Sequence, residues 1–524
     1  MLNTALKFSL PIDYDEVQLI TDLAKQYTLK SEPSTTASMS LYDTFDWRLF
    51  NQNLTLYMSH NQLFLQKLAN VTPLHQIEVL SPPVFVEDVT DNLLQERLRP
   101  LIKMRALLPL VNIRVIRTRY RILNRDEKTV ARIVYETYTT TNDPDNTIPF
   151  LRQIWTEPIR GYNKAENRLT AHFETIGFKQ TSPKQFYMSA LEQVDKTPGD
   201  YSAKLNLHLR SDMTADEAIR IILQAQLVII RHNEPYLAAD IDTEFLHDFR
   251  VAIRRTRSAL SQIKQVFPSE VTARFKKDFS YAGKLSNQLR DLDVYLLNEA
   301  LYKNKLPPLL QKDIEPLFEH LRQKRKYALD TVVKGVQSAR YQQILADWED
   351  FLATDSTAIA VASGAANAQR LAHEMAQEQI YRQYRRIIRQ GTRILATMQD
   401  EALHDLRLEC KKLRYSIEFF TSLFPSKAIS LLVKQLKLLQ DNLGDFNDLC
   451  VQEIYLKDIA QELPITTAES RQVLLAIGSL IGTLYQEQRA VKSDFSEKFA
   501  AFSSPDNKQL FKQLFAQNKT KAVS

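Results

Sequence analysis

Two stretches of this chain carry histidine, arginine and lysine at spacings suited to gripping phosphate. The first is His247-Asp248-Phe249-Arg250-Val251-Ala252-Ile253-Arg254-Arg255-Thr256-Arg257, the second His404-Asp405-Leu406-Arg407-Leu408-Glu409-Cys410-Lys411-Lys412-Leu413-Arg414. A helix turns once in about 3.6 residues, so His247, Arg250, Arg254 and Arg257 fall on one stripe. His404, Arg407, Lys411 and Arg414 repeat it, and Arg255 and Lys412 add a cation beside each stripe. Guanidinium and ammonium groups give short, charge-assisted hydrogen bonds to phosphate oxygens, and a histidine near a polyanion gains a proton and a second donor. The two histidines could instead carry protons. No nucleophile or second base accompanies them at a recognisable spacing, so no catalytic residue is expected.

Like charges three and four residues apart repel and weaken a helix. A single run of this kind is most often a solvated face. Here the strain occurs twice, at matching places, which favours an anion that offsets it. The two stretches differ by a constant 157 positions, and the register continues from Phe267-Pro268 to Phe424-Pro425 and from Asp291-Leu292 to Asp448-Leu449. Such an offset without a gap marks an internal duplication.

The elements that position the stripes are helices. Thr197-Pro198-Gly199-Asp200 marks a boundary, and beyond Met213 the periodicity is helical throughout. The first copy reads as helices to about Arg231, broken at Asn233-Glu234-Pro235, then the His247 helix, then about Val271 to Leu301 and Leu309 to Leu352. The segment from Thr354 to Asn367 reads as a hinge. The second copy reads as helices over about Gln369–Met398, Glu401–Leu423, Lys427–Gln461 and Thr467–Phe502, with Gly478 and Gly482 offering a close helix approach. This predicts a pair of four-helix bundles over 213–353 and 368–505, joined by the hinge at 354–367 and followed by a basic tail at 506–524, loose or a short helix. Neighbouring helices bring further cations: Lys276, Lys277, Lys284, Arg290, Arg325, Arg385, Arg386, Arg389, Lys434 and Lys437, which equally fit a solvated surface. Asp291 and Asp448, one per copy, read as structural carboxylates that orient an arginine or cap a turn.

Residues 1–200 read as a mixed α+β domain. Short β-prone runs at Leu63–Leu65, Ile113–Ile116 and Val130–Tyr135 are separated by turn signals at Ser81-Pro82-Pro83, Asn124-Arg125-Asp126 and Asn142–Asn146. Arg117, Arg119 and Arg121 alternate onto one strand face.

A chain of 524 residues fits two or three domains. Ten glycines disfavour all-β folds and glycine-rich phosphate loops, and a formal charge of +6 is mild, so the pattern of charge says more than its sum. The two cysteines, Cys410 and Cys450, form no CxxC or Cys/His cluster; neither metal nor cofactor is expected, and unclustered thiols fit a reducing compartment. Met1 to Leu10 has no signal-type apolar run, and no stretch approaches the roughly 20 apolar residues of a membrane span. A cytoplasmic protein without a membrane partner is expected. The pattern fixes no oligomeric state.

The helical half resembles the CHAD domain. The likeness rests on His-x-x-Arg-x-x-x-Arg-Arg-x-Arg from His247, Leu289-Arg290-Asp291-Leu292-Asp293-Val294, His404-Asp405-Leu406-Arg407 with Lys411-Lys412-Leu413-Arg414-Tyr415, and Asn447-Asp448, over about residues 213–505. It implies two four-helix bundles about a pseudo-twofold axis, binding of inorganic polyphosphate, and phosphate contacts at His247, Arg250, Arg254, Arg255, Arg257, His404, Arg407, Lys411, Lys412 and Arg414. CHAD domains often follow a CYTH domain, the triphosphate tunnel fold. Residues 1–200 resemble that fold at Tyr42–Leu49 with Leu54-Thr55-Leu56, at Arg117-Thr118-Arg119 and at Pro158–Tyr162. The resemblance implies an antiparallel barrel. Its catalytic strand would be Leu6-Lys7-Phe8-Ser9-Leu10, which has no carboxylate, and Tyr57 and Ser59 stand where arginines are expected. A metal-dependent phosphohydrolase needs oxygen ligands, so a degenerate, non-catalytic domain follows.

The expected function is polyphosphate binding in a groove or pore between the stripes, in association with cytoplasmic polyphosphate granules. The competing readings are a triphosphate or polyphosphate hydrolase with catalysis in the N-terminal domain, and a nucleic-acid or acidic-protein binder. Few aromatics interleave the stripes, which weakens a nucleic-acid reading.

Overall fold

The structure, a computed structural model of the chain, describes residues 6–11, 14–141, 148–354, 365–462 and 468–516. The turn expected at 142–146, most of the hinge at 354–367 and the end of the tail beyond 516 lie outside the described residues. The chain divides into two compact units, 1–202 and 203–524.

Unit 1 is an antiparallel sheet with flanking helices. Its strands are β1 (Phe8–Ser9), β2 (Thr28–Ser31), β3 (Thr35–Thr44), β4 (Leu54–Ser59), β5 (Gln62–Lys67), β6 (Pro73–Glu78), β7 (Leu107–Leu123), β8 (Thr129–Thr140), β9 (Leu151–Glu157) and β10 (Lys179–Gln180). The order is β10-β1-β9-β8-β7-β3-β4-β5-β6, with β2 also on β7. The sheet wraps round a cavity as a barrel does, though no pairing joins β6 to β10 among the described residues. Helices α1 (Glu16–Ala24) and α3 (Asn163–Thr175) bury Leu19, Leu23, Leu169 and Phe173 against Phe8, Ile133 and Ile154. Helix α2 (Asn92–Ile102) buries Leu94, Leu98 and Ile102 against Leu56, Leu63 and Leu65. Helix α4 (Pro183–Glu192), started by Ser182 in a capping box with Gln185, packs Tyr187 and Leu191 against Leu41 and Tyr138. Asp43, inside the Tyr42–Leu49 motif, accepts the backbone N–H groups of Thr44, Leu49 and Phe50 at 2.7–2.9 Å, so it pins a turn.

Unit 2 is all helical. The first copy holds α5 (Ala215–Ala239), α6 (Thr243–Gln262), α7 (Ser269–Leu285), α8 (Asn287–Leu297), α9 (Glu299–Asn304), α10 (Glu315–Gln337) and α11 (Ala339–Ala353). The second holds α12 (Ala372–Thr397), α13 (Asp400–Phe420), α14 (Ser426–Glu462), α15 (Ala468–Phe502) and α16 (Pro505–Phe515). The starts of α5, α6 and α7 lie 157 positions before those of α12, α13 and α14, so the duplication extends to helix boundaries. Reciprocal bonds join the copies: Ala215 N–H donates to Arg370 O at 2.7 Å and Ala372 N–H to Met213 O at 2.9 Å, around an antiparallel bridge between Thr214 and Leu371. Each partner is the other's duplication equivalent, which is the pattern a local two-fold axis produces.

Several expected boundaries shift. Pro235 lies inside α5 and does not end it. Thr214 starts that helix by accepting Glu217 N–H, and Asp242 starts α6 by accepting from Glu244 and Phe245. The single third helix of the first copy is three, interrupted at Ser286 and Asn298, whereas α14 runs unbroken through the equivalent Leu443 and Tyr455. The fourth helix begins at Glu315 and is broken at Ser338, whose hydroxyl caps α11 through Tyr341 N–H. Among the described residues, nothing lies within 4 Å of a Cβ added at Gly478 or Gly482. The close approach is at Gly391, where an added Cβ would overlap the Phe499 ring. The start of the tail is α16, which stacks Phe511 on Tyr384 at 3.8 Å and sets Phe515 edge-on to Phe424.

Candidate functional site

Helix α6 presents its two sides to different surroundings. Phe245, Phe249, Ala252, Ile253, Ala259 and Leu260 are buried, while Arg254 and Arg257 are exposed and His247 and Arg250 half-buried. Burying a Phe or Ile contributes about 1.5–3 kcal/mol. Repulsion between neighbouring cations on a helix costs only about 0.2–0.5 kcal/mol per pair, so the core side decides the fold and the cationic stripe is tolerated. Arg250 donates to Ser286 Oγ at 3.0 Å and Asn287 Oδ1 at 2.9 Å. The interruption between α7 and α8 thus supplies two acceptors that aim this guanidinium. Arg257 lies over Gly283, which leaves room for it.

On α13, Leu406, Cys410, Leu413 and Ile417 are buried and His404 is exposed. His404 Nδ1 lies 2.6 Å from Asn447 Oδ1. Arg407 donates to Asp448 Oδ1 at 3.1 Å with its side chain only 15% exposed. Asp448 therefore orients an arginine, one of the two structural roles expected of it.

The stripes meet. Arg254 lies 5.8 Å from the Tyr415 ring of the second copy, and its charge acts on Arg250, Arg407 and Lys411. Burial pushes the Arg250 guanidinium down, Asp291 pulls it up, and Arg254 and Arg290 push it down again. Burial, then Arg407 and Arg254, bring the Lys411 ammonium down to about 8. Arg290 Nη1 and Arg407 Nε are buried here without a hydrogen-bond partner among the described residues. Buried N–H groups without acceptors are costly, and an anion's oxygens would satisfy them.

Lys411 supplies a pH dependence. Its folded pKa is below its unfolded value, so between about pH 8 and 10.5 the unfolded chain holds the extra proton. The contribution of Lys411 to stability therefore rises with pH through that window. An anion favours the charged form, so binding at pH 8–9 is expected to take up protons, and affinity to fall above about pH 8. Calorimetry in buffers of different ionisation heat checks this. Lys411→Arg should abolish the uptake with anion affinity retained; uptake unchanged in that variant contradicts the assignment.

Other expected contacts are engaged elsewhere. Arg255 donates to Ala203 O at 2.9 Å and pairs with Glu418 at 3.1 Å, bracing the two copies. Glu418 also accepts Arg414 Nε at 2.7 Å, although that side chain stays 43% exposed. Lys412 pairs with Glu409 at 2.7 Å and Arg386 with the same carboxylate at 3.3 Å. Arg325 is held by Asp240 and Asp293, each at 2.7 Å, which raises its pKa. Arg255, Lys412, Arg386 and Arg325 are thus held in internal pairs, as Arg407 is by Asp448. Lys277 lies in a separate groove with Arg274, Arg340 and Asp347. Lys276, Lys284, Arg385, Arg389, Lys434 and Lys437 are exposed on α7, α12 and α14. Sequence reasoning missed Ser286, Asn287 and Glu418. Glu418 was readable as an i+4 partner of Arg414, but its reach to Arg255 depends on packing between copies.

A family model described as the CHAD domain matches residues 221–457. The chain carries a CHAD domain. This CHAD segment includes both stripes and the carboxylates that orient them. Among solved structures, the CHAD domain from the plant Ricinus communis is 24% identical, with a TM-score of 0.49, covering 58% of this chain and 96% of that one. PptA from Streptomyces chartreusis is 16% identical, with a TM-score of 0.41, covering 55% and 99%. No curated protein matches the chain. Within the described residues no helix is long and apolar enough to cross a membrane.

Proposed function

We propose that the CHAD domain binds inorganic polyphosphate along the joined stripes. The observation that carries this reading is the cluster of Arg254 from one copy with Arg407 and Lys411 from the other, close enough to disturb each other's protonation. The unpartnered donors of Arg290 and Arg407 support it, as does the association of CHAD domains with polyphosphate. A repeating phosphate chain offers acceptors at regular intervals and no surface that needs reading, which suits recessed cations without stacking platforms. In this reading His247 and His404 donate hydrogen bonds, the protein is a binder and not a phosphohydrolase, and it accompanies cytoplasmic polyphosphate granules. Unit 1 is read as a CYTH-like sheet with altered chemistry.

Titrating the full chain with long-chain polyphosphate, tripolyphosphate and a DNA duplex of equal charge, with phosphate release followed in parallel, tests the proposal. Preference for long polyphosphate without release is expected. Equal affinity for the duplex contradicts it, and steady phosphate release would favour the hydrolase.

A further inference from the structure

The cavity of unit 1 has chemistry that differs from the helical site. It measures about 400 Å³, a size typical of small-molecule sites. Its walls include Tyr57, Phe64, Trp155, Phe186 and Tyr187 beside Met39 and Leu41, with Lys7 and Arg117 contributing charge. Tyr57 and Phe64 stack at 4.7 Å. Both cations converge on Glu136, which is fully buried: Lys7 Nζ donates at 2.8 Å, Arg117 Nη2 at 2.6 Å, and Tyr138 Oη at 2.6 Å. Burial opposes ionisation of Glu136, but Lys7 and Arg117 hold its pKa down to about 2, so it is a carboxylate at neutral pH. Two cations against one carboxylate leave a single positive charge.

Three residues of the lining, Thr55, Trp155 and Tyr187, also carry a polar atom that is buried without a hydrogen-bond partner among the described residues, though none of these atoms is itself exposed to the cavity. Protein interiors rarely leave such groups unmet.

We infer that this cavity binds a compact organic mono-anion, an aromatic or apolar body bearing one carboxylate or a similar singly charged group. The anionic end sits by Lys7 and Arg117, and the body lies among the aromatic rings. A triphosphate does not fit: one net charge cannot balance several, and aromatic walls cannot replace its hydration.

The probe is 2-naphthoate, titrated calorimetrically into the full chain, with 2-naphthol as the neutral analogue. Tripolyphosphate is titrated into the Arg407→Ala/Lys411→Ala chain, so that weakened binding at the helical site does not mask the result. A 2-naphthoate dissociation constant below about 100 µM is expected for a ligand of this size, with 2-naphthol and the Lys7→Met variant each at least about tenfold weaker, the worth of one charge-assisted bond. If Lys7→Met does not fold, Arg117→Gln, which removes the other cation at the cavity, serves in its place with the same expected weakening. Equal binding of naphthoate and naphthol overturns the inference, as do no binding at millimolar probe or tight binding of tripolyphosphate here.

Discussion

Arg407→Ala combined with Lys411→Ala is expected to lower affinity for long-chain polyphosphate by about 100-fold or more, because each hydrogen bond to a charged group contributes about 1.5–3 kcal/mol. Arg250→Ala with Arg254→Ala, the equivalent change in the first copy, should do the same. The free protein responds differently. Arg254 repels Arg250, Arg407 and Lys411, so removing it relieves strain in the ligand-free state. Urea melts should show the Arg254→Ala chain at least as stable as the parent. Arg250→Ala alone is less favourable, since Ser286 Oγ and Asn287 Oδ1 lose their donor. Isothermal titration of both double variants separates the outcomes: an unchanged affinity in either pair removes one copy from the site.

Salt should act as strongly as mutation. A chain of phosphates neutralised by several cations releases counterions on binding. About six phosphate contacts correspond to a loss of about 1,000-fold between 50 and 200 mM salt, by analogy with nucleic-acid phosphates. The Arg407→Ala/Lys411→Ala chain should show a slope shallower by about two, one per lost contact. Duplex DNA carries similar charge but should bind more weakly, because Arg407 is recessed at 15% side-chain exposure and a broad duplex cannot follow it inward. Fluorescence titrations over a salt series check both points. A shallow slope for the parent, or a slope unaltered in the variant, contradicts direct phosphate contact.

Much of this arrangement was legible in the sequence because it is periodic. The 157-residue offset fixed the pairing of α6 with α13, and the stripe spacing identified Arg250, Arg254, Arg407 and Lys411, which the structure brings together. What was not legible was decided by three-dimensional neighbours. Arg255 and Lys412 sit beside the stripes in sequence, yet each has a carboxylate within reach, Glu418 across the copies and Glu409 one turn away. Pro235 reads as a helix end, but α5 continues past it, its hydrophobic face buried at Ile230 and Leu237 on either side. Gly391 gave no signal, because only the Phe499 ring packed on it makes it necessary. In unit 1 the strand alternation correctly placed Arg117, Arg119 and Arg121 together, but their acidic partners Glu136, Glu157 and Glu32 come from other strands and loops.

A crystal structure of the full chain with long-chain polyphosphate bound tests the central claim most directly. The account predicts a phosphate chain whose oxygens lie within hydrogen-bond distance of Arg254 from the first copy and of Arg407 and Lys411 from the second, with Arg290 Nη1 and Arg407 Nε newly satisfied. Phosphate density confined to the outer cations such as Lys434 and Lys437 or Arg385 and Arg389, leaving the junction of the two copies untouched, would contradict it.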